Sequence, residues 1–238
     1  RAYASNMLAQ SVIANNIPFF IGVSAKGANY LTADDGAPAE IWRFGEAKPA
    51  IVLGVLDDAQ PTAALSTNGQ FAAVSDARGA ITVRNVASTK IEWTILPQDA
   101  TADRSPPLSL TVSDDGAQVL AGYDFAENVL LWHRDKPEAP TTFPAENGAT
   151  GVAISASGER IAYIDGDDVI VWKIGDLAPL RRFPTDEDMF RVALSDAGFI
   201  VAALEADGEV YVWNVETGAT IVERRDGINP ALGLAVDP

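Results

Sequence analysis

The chain has 238 residues, 47% of them hydrophobic and 21% charged, a balance that suits a soluble globular protein with a large core. Its net charge of −16 argues against sequence-independent binding to phosphate backbones or anionic lipid, both of which need surplus Lys and Arg. With no cysteine, disulfides, Cys-based zinc sites and thiol catalysis are excluded.

Residues 1–16, RAYASNMLAQSVIANN, lack the charged start and long apolar block of a secretory signal. A start at Arg1 rather than Met points to a processed form or to a piece of something longer. The segment reads as a strand that helps close the fold. The alternative is a short amphipathic helix, since Tyr3, Met7, Leu8 and Val12 are roughly helically spaced.

From residue 17 onward one unit recurs. Each copy carries Ser-x-x-Gly: Ser24/Gly27, Ser66/Gly69, Ser113/Gly116, Ser155/Gly158 and Ser195/Gly198. Successive serines are 42, 47, 42 and 40 residues apart. Each is followed 17 to 19 residues later by Trp42, Arg84, Trp132, Trp172 or Trp213.

Before each Ser lies a short apolar strand, such as RVAL, that reads as buried on both faces. The Ser hydroxyl can bond backbone N–H groups just ahead of it, and the Gly permits positive φ, so together they predict a tight hairpin. A second strand follows (QVLAGY, RIAYI, IVAALE), then an Asp- and Gly-rich turn, then an alternating strand such as EVYVW. Beyond it lies a fourth β-prone segment: PAIVLGVL, KIEWTIL, TTFP, PLRRFP or ATIVER. Four short antiparallel strands every 40 to 47 residues is the period of a propeller blade, so the predicted fold is an all-β propeller of four-stranded antiparallel blades.

Five full blades fit this pattern, and PALGLAVDP (230–238) reads as the inner strand of a partial sixth. Asp237 falls 42 residues after Ser195, in phase with the repeat. Either both ends of the chain complete a six-blade ring or the chain is part of a larger propeller.

The fifth copy, VALSDAGFIVAALEADGEVYVWNVETG, combines the Ser-x-x-Gly turn, Asp207-Gly208 six residues before Trp213, and Trp-x-x-x-Thr-Gly. In these features the chain resembles the WD-repeat β-propeller family over roughly residues 17–226. It departs from that family's pattern in two ways. The Trp is followed by Arg43, His133, Lys173 or Asn214 rather than Asp, and no Gly-His precedes an inner strand. The family's His–Ser–Trp–Asp hydrogen-bond network therefore cannot form, and strand packing is expected to carry the blades. Quinoprotein and lactonase-like propellers are related alternatives. The resemblance implies a non-enzymatic scaffold for protein–protein interaction, without cofactor or metal.

The hairpin order places ten loops on one rim: approximately 34–39, 57–62, 76–80, 97–107, 123–128, 144–148, 165–168, 185–189, 205–209 and 226–230. They hold 20 of the 33 acidic residues but only two of the 17 basic ones, Arg78 and Arg104. Asp is a favoured turn former, which explains part of the enrichment but not the near-absence of Lys. The remainder points to an acidic docking face for a protein or peptide with a basic surface. Its expected residues are Asp57, Asp58, Asp99, Asp103, Arg104, Asp124, Glu127, Asp165, Asp167, Asp168, Asp186, Glu187, Asp188 and Asp207.

Other chemistry is weaker. The clusters Asp165/Asp167/Asp168 and Asp186/Glu187/Asp188 offer oxygen ligands, but lack the spacing of a recognised calcium loop and read as solvated turns. The only histidine, His133, reads as surface packing rather than part of a Ser–His–acid triad. The alternative function is a small-molecule or glycan-processing propeller with a site in the central channel, although no spacing selects a carboxylate pair. The four recurrent tryptophans read as packing residues, and Trp93, on an outer segment, as the one that is exposed. The long loop 97–107 and the proline-rich RDKPEAPTTFP (134–144) account for the stretched third and fourth units, and extra length on a regular scaffold is where specificity tends to be added.

Overall fold

The computed structural model describes residues 20–24, 29–33, 39–53, 62–96, 106–123, 126–185, 189–205 and 209–224. The terminal segments expected to close the ring, and Gly27 of the first turn, lie outside them. Among the described residues every regular element is a strand, and there are twenty, in five groups of four.

Blade one holds β1 (Phe20–Val23), β2 (Asn29–Ala33), β3 (Glu40–Arg43) and β4 (Ile51–Val52). Blade two holds β5 (Ala63–Leu65), β6 (Phe71–Ser75), β7 (Ile81–Asn85) and β8 (Ile91–Ile95). Blade three holds β9 (Ser109–Val112), β10 (Gln118–Gly122), β11 (Asn128–His133) and β12 (Lys136–Pro144). Blade four comprises β13 (Ala149–Ile154), β14 (Arg160–Asp165), β15 (Asp168–Lys173) and β16 (Arg181–Pro184). Blade five comprises β17 (Met189–Leu194), β18 (Ile200–Glu205), β19 (Val210–Asn214) and β20 (Thr220–Arg224).

Every blade is a consecutive antiparallel meander. The first strand of each blade packs against the first strand of the next, β1 to β5, β5 to β9, β9 to β13 and β13 to β17. The fourth strands form the outer edges. This is a β-propeller arrangement, as the repeat predicts.

The apolar runs of the inner strands follow from the layout, because blades two, three and four are each sandwiched between two others. Side chains alternate across a strand, so each strand feeds two cores at once. In blade three, Val119, Ala121 and Trp132 join Ile81, Val83 and Ile95 of blade two, whereas Leu120, Val129, Leu131 and Phe143 join Ile161, Tyr163 and Trp172 of blade four. The other face of blade four, Ala162, Ile164, Val169, Val171 and Phe183, packs on Val201, Ala203 and Trp213 of blade five.

The Ser-x-x-Gly turn behaves as its chemistry predicts. Ser24, Ser66, Ser113, Ser155 and Ser195 are all buried, at 5% exposure or less. Each Oγ accepts the backbone N–H five residues on, from Asn29, Phe71, Gln118, Arg160 and Ile200, at 3.0–3.2 Å. The N–H of Gly69, Gly116, Gly158 and Gly198 returns to the carbonyl of its Ser at 2.8–2.9 Å. These four glycines have φ between +66° and +71°, a region that Gly enters without a Cβ clash.

The same turn locks neighbouring blades, a role the sequence does not announce. The side chain five residues after each Ser reaches over the turn Gly of the following blade: Asn29 over Gly69, Phe71 over Gly116, Gln118 over Gly158, Arg160 over Gly198. At three of these junctions an N–H donor from the preceding blade meets the Gly carbonyl: Asn29 Nδ2 to Gly69 at 3.1 Å, Trp93 Nε1 to Gly116 at 2.8 Å, and Arg160 to Gly198 at 3.1 Å.

Three expectations need correction. Trp93 is buried, at 8% exposure, because its indole N–H crosses to the next blade's turn. In the proline-rich 134–144 the strand is longer than the β-prone TTFP alone. Residues 136–144 form the outer strand β12, where an edge tolerates missing N–H donors. Pro137 and Pro140 lie between the pairs His133↔Lys136 and Leu131↔Thr141, where the register breaks and neither must donate to the ladder. Packing is also not the whole of the blades' support. Trp42 Nε1 donates to Thr32 Oγ1 at 3.0 Å, and Trp172 Nε1 to the Tyr163 hydroxyl at 2.9 Å, which itself donates to the Pro144 carbonyl at 2.6 Å. Thr32 and Tyr163 both stand eight residues after their Ser, so a hydroxyl at that position anchors the tryptophan.

Candidate functional site

In an antiparallel meander the links between second and third strands and the links between blades emerge on one rim, while the Ser-x-x-Gly turns emerge on the other. The five sheets therefore put the described parts of nine of the ten acidic-rich loops on a common rim; loop 226–230 lies outside the described residues. Of the sequence-predicted site residues, Asp57, Asp58, Asp99, Asp103, Arg104, Asp124, Asp186, Glu187, Asp188 and Asp207 lie outside the described residues. Glu127, Asp165, Asp167 and Asp168 lie within them.

These four have different environments. Glu127 is exposed just before β11, and its backbone carbonyl accepts the N–H of Ala145 at 2.9 Å, which ties it to the link between blades three and four. Asp167 is exposed in the two-residue turn between β14 and β15, where its carbonyl accepts Thr185 N–H at 2.8 Å. Both carboxylates are therefore available at the rim while their backbones are fixed.

Asp165 is 4% exposed. Its carboxylate accepts N–H bonds from Glu146 at 3.2 Å and from Asn147 at 2.8 Å, plus one from the Asn147 side-chain amide at 3.2 Å. It holds the link from blade three to blade four in place, and a group so fully bonded inward has little left to offer a partner. Blade two uses Ser75 in the adjacent position, whose hydroxyl accepts the Thr62 N–H at 3.0 Å. Asp168 is half-buried and ion-paired with Arg182 at 2.6 Å. The three carboxylates of the DGDD turn thus serve separate ends, and among the described residues no group of three or more His, Cys, Asp or Glu side chains is arranged to hold a metal ion.

Two basic residues escaped the sequence reading. Arg182 lies on β16 opposite Ile170, two pairs away from Asp168↔Pro184 and so on the same face, and its long side chain reaches the acidic turn. Only knowledge of that register reveals the pairing. Arg191 interrupts the apolar MFRVAL of β17, and its guanidinium lies 5.2 Å from the Phe190 ring. Burial lowers its pKa from the ordinary Arg value. A cation within an otherwise apolar innermost strand was the signal available for it.

The opposite rim carries a mixed set of charges. His133 ends β11 there, in register with Gln118 and Lys136. Arg160 bridges blades four and five by its bond to Gly198, an ion pair with Glu216 at 2.5 Å and a stack over Phe199 at 4.5 Å. Asp115 accepts bonds from Ser113 Oγ at 2.6 Å and Ala117 N–H at 2.9 Å. Burial alone would raise its pKa, but these bonds and Arg134 outweigh burial and hold it below the ordinary Asp value.

No protein-family model matches the chain, and no curated protein sequence matches it. No described helix is long and apolar enough to cross a membrane.

Proposed function

We propose that this propeller is a non-enzymatic interaction scaffold that docks a protein or peptide with a basic surface on its acidic rim. The observation that carries this reading is the sequence pattern itself: 20 of 33 acidic residues, against two of 17 basic ones, fall in the loops that the repeat predicts for one rim. Exposed Glu127 and Asp167 on fixed backbones support it. Clustered charge of one sign steers a partner of opposite sign and sets the salt dependence of its capture. The Ser-x-x-Gly turns and the Trp-x-x-x-Thr-Gly exit of the fifth blade are similar to WD repeats, a family of mostly scaffolding propellers; fold likeness adds weight without naming a partner.

A lysine-rich fluorescent peptide serves as the test ligand. Neutralising Glu127, Asp167, Asp186, Glu187 and Asp188 to their amides should weaken its binding and flatten the salt dependence. Amide replacement of Glu46, Asp135, Glu138, Glu159 and Asp176, five exposed acids away from that rim, changes net charge equally and should leave most of the affinity. Equal losses in the two variants would show that net charge alone attracts the peptide and would end the docking-face reading.

A further inference from the structure

We propose that Asn147 is a site of spontaneous deamidation. There Gly148 and water turn the side-chain amide into a carboxylate, which undoes the tie between Asp165 and the link from blade three to blade four.

The sequence has two Asn-Gly pairs, Asn68–Gly69 and Asn147–Gly148. Gly after Asn is the pairing most open to ring closure, because no Cβ shields the backbone nitrogen. That nitrogen gives up its proton to water and attacks the Asn side-chain carbonyl carbon. The N–Cγ bond forms, the Cγ–Nδ2 bond breaks and ammonia leaves, with a five-membered succinimide as the product. A water molecule then opens one of the two C–N bonds of the ring. One opening restores the normal backbone with an Asp side chain, and the other routes the backbone through Cβ as isoaspartate. The sum is amide plus water to carboxylate plus ammonium, so no other reactant is needed.

The fold treats the two pairs differently. Asn68 Oδ1 accepts the Ser66 hydroxyl and the Gln70 N–H, both at 2.9 Å, and Asn68 Nδ2 donates to the Asp114 carbonyl at 2.9 Å. Its backbone N–H donates to Asp114 Oδ1 at 2.8 Å, and the Gly69 N–H donates to the Ser66 carbonyl at 2.8 Å. Swinging this amide onto the Gly69 nitrogen breaks three side-chain bonds. Asn147 is exposed, and among the described residues its amide makes one bond, from Nδ2 to Asp165 Oδ1 at 3.2 Å. The Gly148 N–H meets the Ala145 carbonyl at 3.3 Å, beyond the usual range. Each bond given up slows closure, so in the folded chain Asn68 should convert at least about tenfold more slowly than Asn147.

The product conflicts with its setting. Asp165 is 4% exposed and takes three bonds from the link: from the N–H of Glu146, the N–H of Asn147 and Asn147 Nδ2. Deamidation puts an anionic oxygen where that Nδ2 donates, 3.2 Å from Asp165 Oδ1. Two carboxylates so close repel each other where little water screens them. The isoaspartyl form also lengthens the backbone by one atom at the same point. The link carries the Ala145 N–H bond to the Glu127 carbonyl at 2.9 Å and the Ala149 N–H bond to the Tyr123 carbonyl at 3.1 Å. Its release therefore loosens the rim between blades three and four.

The test ages the full chain in mildly alkaline buffer, folded and in urea. Mass spectrometry of the peptides containing residues 68 and 147 reads the amide-to-acid mass gain, and isoaspartyl methyltransferase labelling identifies the isoaspartate. In the folded chain Asn147 should convert at least about tenfold faster than Asn68, and in urea the two rates should converge. Similar rates in the folded chain would overturn the proposal, as would a gap that persists in urea. The converted chain, separated by anion exchange through its added negative charge, should exchange the amide hydrogens of Glu146 and residue 147 several-fold faster than the parent. Asn147→Asp, which matches one of the two products, should do so without ageing. Unchanged exchange in both would overturn the release of the link.

Discussion

Replacing Gly198 with valine introduces two conflicts. The backbone stands at φ +71°, and the new Cβ would lie 2.8 Å from Arg160 Cδ in the neighbouring blade. Positive φ in a β-branched residue costs on the order of 1–3 kcal/mol before the clash is added. Thermal unfolding should show a loss of about 2 kcal/mol or more, and an unchanged melting temperature would refute the turn lock. Tyr163 provides a second test. Burial pushes its hydroxyl pKa up to about 12 from 10.0. Between those values the unfolded chain releases a proton that the folded chain keeps, so stability is complete below pH 10 and falls as pH rises toward 12. The full span corresponds to roughly 2 to 3 kcal/mol at most, at 1.36 kcal/mol per unit. Tyr163→Phe should flatten this alkaline limb. At neutral pH it should cost about 1–3 kcal/mol, because the Trp172 N–H and the Pro144 carbonyl lose their shared partner.

Between elements, one side chain, Arg160, adds a polar brace to the apolar junction of blades four and five. Arg160 bonds Gly198, pairs with Glu216 and covers Phe199, while Arg181 donates to the Glu216 carbonyl at 2.6 Å. Arg160→Ala should destabilise by about 1–3 kcal/mol in denaturant titration. A cycle with Glu216→Gln should give a coupling well below that loss, since Glu216 is half exposed and the Gly198 bond survives its replacement. A coupling equal to the whole loss would place the brace in the ion pair alone. Strand order, the Ser hydroxyl's role and the burial of Trp132, Trp172 and Trp213 were legible from local chemistry, because a hairpin is settled by residues within a few positions of each other. Burial of Trp93 was not legible, since its partner carbonyl belongs to Gly116, 23 residues away in another blade. The surroundings of the four described site acids were legible in part. Glu127 and Asp167 stand in the exposed turns where the alternation put them. The inward role of Asp165 depends on a loop 18 residues upstream, and the Arg182 pairing depends on strand register.

For the whole molecule, a net charge of −16 sets up self-repulsion that folding concentrates. The described ion pairs are few and largely exposed, so salt removes little attraction and much repulsion. Raising sodium chloride from about 10 mM to about 150 mM, which shortens the screening length from about 30 Å to about 8 Å, should therefore raise the melting temperature. A fall would mean that charge pairing outweighs repulsion. The amino-acid sequence by itself determined the five described blades, the strand order in each and the positions of their Ser-x-x-Gly turns, since these follow from a repeated local pattern of apolar alternation and turn chemistry. Only the tertiary structure decided which acids face outward, which glycines serve the neighbouring blade and which tryptophan reaches the next blade's turn, since each depends on how the face of one blade meets the next, and no single repeat encodes its neighbour.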